Sequence, residues 1–191
     1  MLFRSKTYTQ PLVIKMDPRI TISLADLRKQ FEMESGSSDG MNQSYEALKQ
    51  VRSVRAQLKE LAARAGKGRL ADAITGLDKK AAELEGAAQS SFYGLPPSGK
   101  QAENFSTLNQ HFLGMLSVAD SADAAPTTQA TAVFGELRTA LGSLLSRWKE
   151  AKELDIPALN KELKKARLSE VDATKPPADN PLADSEGGDQ P

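Results

Sequence analysis

The stretch ATAVFGELRTALGSLLSRW, residues 130–148, has the most regular apolar spacing in the chain and decides the predicted fold. Apolar residues recur in it at steps of three and four, which places them on one face of an α-helix: Ala130, Phe134, Leu137, Leu141, Leu144 and Trp148. A face of this kind needs apolar partners. Because Trp148 is in register with Leu141 and Leu144, we expect it to pack in the core rather than to anchor an interface.

Three other segments repeat this spacing, and together they predict an antiparallel helical bundle. Their apolar residues are Ala47, Val51, Val54, Leu58, Leu61 and Ala65 in the first, Leu70, Ile74, Leu77, Ala81, Leu84 and Ala88 in the second, and Phe105, Leu108, Phe112, Met115 and Ala119 in the third. Sustained spacing near 3.5 residues favours packing at crossing angles of about 20°. The predicted fold class is therefore all-α, with about four long helices in the bundle.

The first long helix is predicted to span residues 23–65, although its early part has the composition of a loop. Ser23 followed by Asp26 resembles a capping box, which indicates a helix start. Positions 24, 27, 31, 34, 38, 41, 45 and 48 then step by three and four without a slip and end on Met41, Tyr45 and Leu48. A break near residues 36–40, where Gly36 and Gly40 stand, is the alternative.

A single β-strand is predicted ahead of the helices, within TYTQPLVIKMDPRITISL, residues 7–24. Residues 8–16 alternate between two faces, as a half-buried strand does. Asp17-Pro18-Arg19 ends the alternation. One strand cannot satisfy its own N–H and C=O groups, so it either pairs with something outside these residues or is not a strand.

At the other end, Asp155-Ile156-Pro157 is predicted to start a short last helix that carries Leu159 and Leu163. Residues 169–191 hold six acidic residues against one lysine, a net charge of −5, which leaves +5 for residues 1–168. This Pro- and Gly-rich tail is too poor in apolar residues to order itself. We therefore predict three parts: strand and junction at 1–20, bundle at 21–168, and disordered acidic tail at 169–191.

Composition argues against several classes of function. The chain has no cysteine, which excludes disulfides and thiolate chemistry. No apolar run reaches the length of a signal peptide or a membrane span, so no membrane association is expected and the compartment is left open. A basic stripe on one helix, made of Arg52, Arg55, Lys59 and Arg64, is expected to be a solvated face paired with Glu60 and its neighbours. The isoelectric point near 6.6 favours that interpretation over nucleic-acid binding.

No catalytic, cofactor-binding or metal site is predicted. His111 is the one histidine of the chain, and no acidic residue stands three or four positions from it to orient it as a base. We interpret it as a structural residue. Asp120, Ser121 and Asp123 are too few oxygen ligands for a calcium loop, and a helix cap is the expected role. The chain is accordingly not expected to be an enzyme.

Several short motifs in order resemble the C-terminal region of large bacterial proteins with sortilin-like (VPS10/BNR-repeat) β-propellers, which are often labelled glycosyl hydrolases. The motifs are TYTQPLVIKMDPR, ADLRKQF, VRSVRAQL, SADAAPTTQA and DIPALNKEL, and the resemblance covers residues 7–168. In that family the propeller lies upstream, a short β-rich segment follows and the helices come last. The resemblance implies that the strand is the end of such a β segment. It carries over no hydrolase residue.

The leading functional prediction is a non-catalytic helical accessory or interaction domain, the C-terminal fragment of an exported β-propeller protein. Its implied partner is the upstream β-propeller or β-rich domain, or another protein, and its location would be extracytoplasmic. The alternative is a self-contained helical adaptor that forms homo-oligomers through the apolar faces of its helices. If the strand is cut off from such a β segment, its exposed Leu12, Ile14 and Met16 make this end the expected place for misfolding or association.

Overall fold

A computed structural model describes residues 9–15, 17–19, 21–86, 104–121 and 124–176 of the 191. The elements are α1 (Leu24–Arg64), α2 (Arg69–Glu85), α3 (Phe105–Ala119), α4 (Thr128–Glu150) and α5 (Ile156–Lys165). A π-helical segment, Ala151–Asp155, joins α4 to α5. The predicted all-α class is confirmed, as is the uninterrupted first helix across Gly36 and Gly40.

Polar side chains cap the starts of three of the five helices. The side chains of Ser23, Asn104 and Thr127 accept hydrogen bonds from backbone N–H groups in the first turns of α1, α3 and α4. Each cap satisfies a donor that the helix itself leaves unpaired. Between α1 and α2, Gly66 and Gly68 take positive φ angles of 68° and 123°, which glycine adopts at no steric cost.

Helix α1 is the centre of the bundle and contacts α2, α3 and α4, while α2 also contacts α5. The predicted apolar faces of the later helices lie inside this core. Of the residues listed for them, the structure buries all except Ala65, Leu70 and Phe134, which are partly buried, and Ala88, which lies outside the described residues. Spacing alone therefore located most of the core.

The predicted face of the first half of α1 is wrong by about one residue. Leu24 and Phe31 are 69% and 66% exposed. The buried positions are instead Gln30, Met33, Ser37, Gly40 and Ser44. Small residues line this face because aromatic rings from α3 and α4 press against it, as detailed below.

The predicted N-terminal strand is not present in its described residues, 9–15, which form neither strand nor helix. A strand needs a second strand to bond its N–H and C=O groups, and the described part of the chain contains none. Residues 8 and 16 lie outside the described residues.

The predicted tail begins too early. Residues 169–176 lie against the bundle, and Val171 is 4% exposed. The Gln57 side chain exchanges two hydrogen bonds with the Asp172 backbone, at 2.8 and 2.9 Å, and Ser53 donates to the Lys175 carbonyl at 2.6 Å. These bonds extend the body of the bundle past the predicted boundary at residue 168, at least as far as residue 175. The rest of the predicted tail lies outside the described residues.

Candidate interaction surfaces

The N-terminal segment, residues 9–15, is the most exposed apolar surface of the described chain. Leu12, Val13 and Ile14 are 84%, 74% and 87% exposed. Within the described ranges, no backbone hydrogen bond ties this segment to another residue. Its side chains are therefore open to a partner, and no described residue pairs with its peptide groups through a backbone hydrogen bond.

A turn at residues 17–19 connects this segment to the bundle. The Asp17 carboxylate accepts from the Arg19 guanidinium at 2.6 Å and from the Arg19 backbone N–H at 2.9 Å. The Arg19 side-chain hydrogen bonds lower the pKa of Asp17. The predicted hinge Asp17-Pro18-Arg19 thus forms a locally bonded turn, although the pair is exposed and adds little stability.

The second surface is an open groove of about 800 Å³ between α2 and α5. Leu77 and Leu159 form its buried floor, with Leu70 beside them. The groove exists because the facing positions are small. A Cβ built on Gly76 would meet no atom within 4 Å, and Ala73 and Ala158 also line the opening.

Charged side chains rim this groove, and they are unequally distributed along it. At one end Lys80 and Asp155 form a salt bridge of 3.0 Å. At the other end Arg69 and Lys165 flank Glu162, which accepts from Lys165 at 2.7 Å. The Lys165 hydrogen bond is the main cause of the lowered pKa of Glu162, and the Arg69 charge adds to it.

A third concavity, of about 540 Å³, lies between α1 and α4. It adjoins the two glycines of α1. A Cβ on Gly36 would lie 2.5 Å from the Phe134 ring, and one on Gly40 would lie 2.6 Å from the Phe112 ring. The two phenylalanine rings therefore pack directly against the backbone of these glycines, and the concavity lies beside that contact.

Two residues of the predicted basic stripe, Arg52 and Arg55, link α1 to α2, whereas Lys59 and Arg64 are exposed, as predicted for a solvated face. Arg55 forms salt bridges with Asp78 and Glu85 of α2 at 2.9 and 2.6 Å, and Arg52 contacts Glu85 at 2.9 Å. Hydrogen bonding to Asp78 is the main cause that raises the pKa of Arg55. The expected pairing with Glu60 was wrong, because the acidic partners come from the neighbouring helix.

Trp148 lies in the core, as its register predicted, with 2% of its surface exposed. Its indole N–H donates to the Gln50 side-chain oxygen at 3.0 Å, and Lys152 donates to the same oxygen at 3.2 Å. Lys152 also lies 5.7 Å from the centre of the indole ring. The bonded indole satisfies the polar group that a buried tryptophan brings with it.

The residues considered for chemistry do not come together in the described chain. His111 is half-buried on α3, and burial lowers its pKa. Asp120 ends α3, whereas Asp123 lies outside the described residues. The described ranges contain no group of three metal-binding side chains and no helix that is long and apolar enough to span a membrane.

Sequence reasoning found the N-terminal segment but missed the α2–α5 groove. The signal was present, since Ala73 and Gly76 on one helix and Ala158 on the other are small residues beside an apolar face. Which small residues face each other depends on how the two helices pack, which spacing within one helix does not specify.

Comparison of the chain with known protein families, with curated proteins and with solved structures found no match. The relationship to sortilin-like propeller proteins therefore stays a prediction.

Proposed function

We propose that the chain is a non-catalytic helical accessory domain that binds a β-rich neighbour through its N-terminal segment, as the C-terminal part of an exported β-propeller protein. The observation that carries the proposal is the exposure of Leu12, Val13 and Ile14 next to a well-buried helical core. Burying one such side chain is worth about 1.5–3 kcal/mol. A neighbour that covers all three would gain a substantial part of its binding energy from them.

The form of the contact follows from the backbone of this segment, which forms no backbone hydrogen bond to another described residue. An exposed segment with unpaired N–H and C=O groups can add as a strand to the edge of a sheet. Alternation then sends Leu12 and Ile14 to one face and Val13 to the other. Pro11 has no N–H, so it suits an edge position at the start of the pairing.

The resemblance supports the identity of the neighbour. In sortilin-like proteins a β-rich segment precedes the helices, and the segment at residues 9–15 stands at the corresponding place. The turn at Asp17-Pro18-Arg19 then forms the junction between the β-rich part and α1. The first test is the coding DNA ahead of codon 1, where we expect a propeller in the same frame; a frame without propeller repeats would refute this part of the proposal.

A binding experiment tests the contact itself. The β-rich product of that upstream frame is expressed separately and titrated with the full chain. Leu12→Ser combined with Ile14→Ser should weaken binding by about tenfold or more. The matched control, Gln10→Ser with Lys15→Ser, changes two exposed polar residues of the same segment and should bind as the unaltered chain does. Equal affinity of the two double variants would contradict the proposal.

The alternative, a self-contained adaptor that oligomerises, would have to use a surface other than the predicted one. The apolar faces of the helices pack within one chain in the described residues. Exposed Leu24 and Phe31 on α1 are the apolar residues that favour such a role. Sedimentation equilibrium distinguishes the two functions, because the adaptor requires a defined oligomer and a monomer at high micromolar concentration rules it out.

A further inference from the structure

We infer that the α2–α5 groove binds an amphipathic helix of a partner protein, and that this helix is acidic. This surface is separate from the N-terminal segment, and binding there is a role beyond the proposed function. Its basis is the shape of the groove together with the distribution of charge along it.

The shape fits a helix. The lining residues run from Arg69 to Lys80 on α2 and from Asp155 to Ala166 on α5, about three helical turns on each side. Leu70, Leu77 and Leu159 offer an apolar floor, and small residues on both helices leave space above it. A third helix can therefore lay an apolar stripe into the groove, as helix-in-groove complexes do.

The charge distribution selects an acidic helix. Lys80 and Asp155 neutralise each other, and so do Lys165 and Glu162. Arg69 lines the groove and forms no salt bridge within the described ranges. The two segments that meet at this end, residues 67–72 and 161–167, hold six basic residues against Asp72 and Glu162, although of the six only Arg69 and Lys165 line the groove itself. The end of the groove near Arg69 therefore carries a net positive charge, and acidic residues on a partner would be attracted to it.

The described part of the chain does not occupy the groove. After α5 the chain turns away, since Asn160 and Gln57 bind the backbone of Val171 and Asp172. Residues 177–191 are acidic, but Leu182 is their one large apolar residue, so they do not supply an apolar stripe. An external helix therefore fits better than the acidic end of the same chain.

The test uses two synthetic helical peptides of matched length and the full chain. Both carry leucine at positions i, i+3, i+7 and i+10; one has glutamate at its polar positions and the other lysine. Fluorescence polarisation is measured at physiological ionic strength. The acidic peptide should bind at least about tenfold more tightly than the basic one. Equal binding of the two peptides, or no binding of the acidic one at millimolar concentration, would overturn the inference.

Substitutions at Gly76 locate the binding site without threatening the fold. Gly76→Leu fills the groove and should reduce binding of the acidic peptide by about tenfold or more. Gly76→Ala adds little volume and should bind normally. Both variants should melt no lower than the unaltered chain, because glycine is a poor helix former. Undiminished binding by Gly76→Leu would place the peptide elsewhere.

Charge variants complete the test. Arg69→Glu should weaken binding of the acidic peptide. Lys59→Glu, an exposed change on α1 away from the groove, should leave that binding unchanged. Replacing the four acidic residues of 177–191 by their amides should leave peptide affinity unchanged. If that replacement instead strengthens binding, the chain's own acidic end occupies the groove and the external helix is refuted.

Discussion

Replacing Gly40 by alanine tests the most specific packing contact of the bundle. The new Cβ would lie 2.6 Å from two atoms of the fully buried Phe112 ring, so the ring would have to leave its packed position. Overpacking of this kind costs about 1–3 kcal/mol, whereas alanine in place of glycine gains about 1 kcal/mol of helix propensity. The free energy of unfolding should therefore fall by up to about 2 kcal/mol.

Gly76→Ala is the matched control, because its Cβ meets no atom within 4 Å. The free energy of unfolding of that variant should rise by about 1 kcal/mol, the difference in helix propensity between alanine and glycine. Urea unfolding followed by circular dichroism gives both free energies, compared at equal denaturant slopes. If Gly40→Ala were as stabilising as Gly76→Ala, the close approach of α1 and α3 would be refuted. The double variant Gly40→Ala with Phe112→Leu should lose less stability than the sum of the two single variants, since the smaller side chain at position 112 leaves room for the Cβ at position 40.

Four further substitutions test other parts of the structure. Leu141→Ala in the buried face of α4 should lower the free energy of unfolding by about 2–5 kcal/mol, and a value near that of the exposed control Ser143→Ala would mean the face is misplaced. Arg167 lies two residues after the end of α5 and has a φ of 59°, so Arg167→Gly should stabilise the chain by about 1 kcal/mol in the same urea assay. A loss of stability would contradict the left-handed backbone geometry. Gln57→Ala removes two hydrogen bonds to the segment after α5, which should exchange its amide hydrogens faster; unchanged exchange would show that the segment is held otherwise. Burial lowers the pKa of His111 in the folded chain, so as the pH falls below the ordinary value of 6.5 the unfolded chain protonates this histidine first. The free energy of unfolding should therefore decline below that pH, and His111→Gln should flatten the decline. An unchanged pH profile in the variant would contradict this.

The later helices could be predicted from the sequence because each buries one continuous apolar face. Leu137, Leu144 and Phe112 mark such faces by their spacing alone, and the structure buries all three. The same logic failed in the first half of α1. There several buried residues are small and polar, such as Ser37 and Ser44. The spacing of apolar residues does not detect a helix face of small residues against which aromatic rings of other helices pack.

Contacts between elements were the other part that the sequence did not specify. The Arg55 salt bridges reach Asp78 and Glu85 on α2, and the Asp172 backbone binds Gln57 more than a hundred residues away. A window of local sequence carries no information on such pairs. The α2–α5 groove belongs to the same class, because it is created by the packing of two helices and not by either helix alone.

Residue-level amide hydrogen exchange on the isolated full chain tests the central claim most directly. The account predicts that the amides of Leu12, Val13 and Ile14 exchange at the rates of an unprotected peptide, while those of Val51 and Val54 in α1 are strongly protected. That result leaves the N-terminal segment free to pair with a β-rich neighbour. Protection of residues 12–14 in a chain shown to be monomeric would mean that the segment already has a partner within the chain, and the proposed docking would be contradicted.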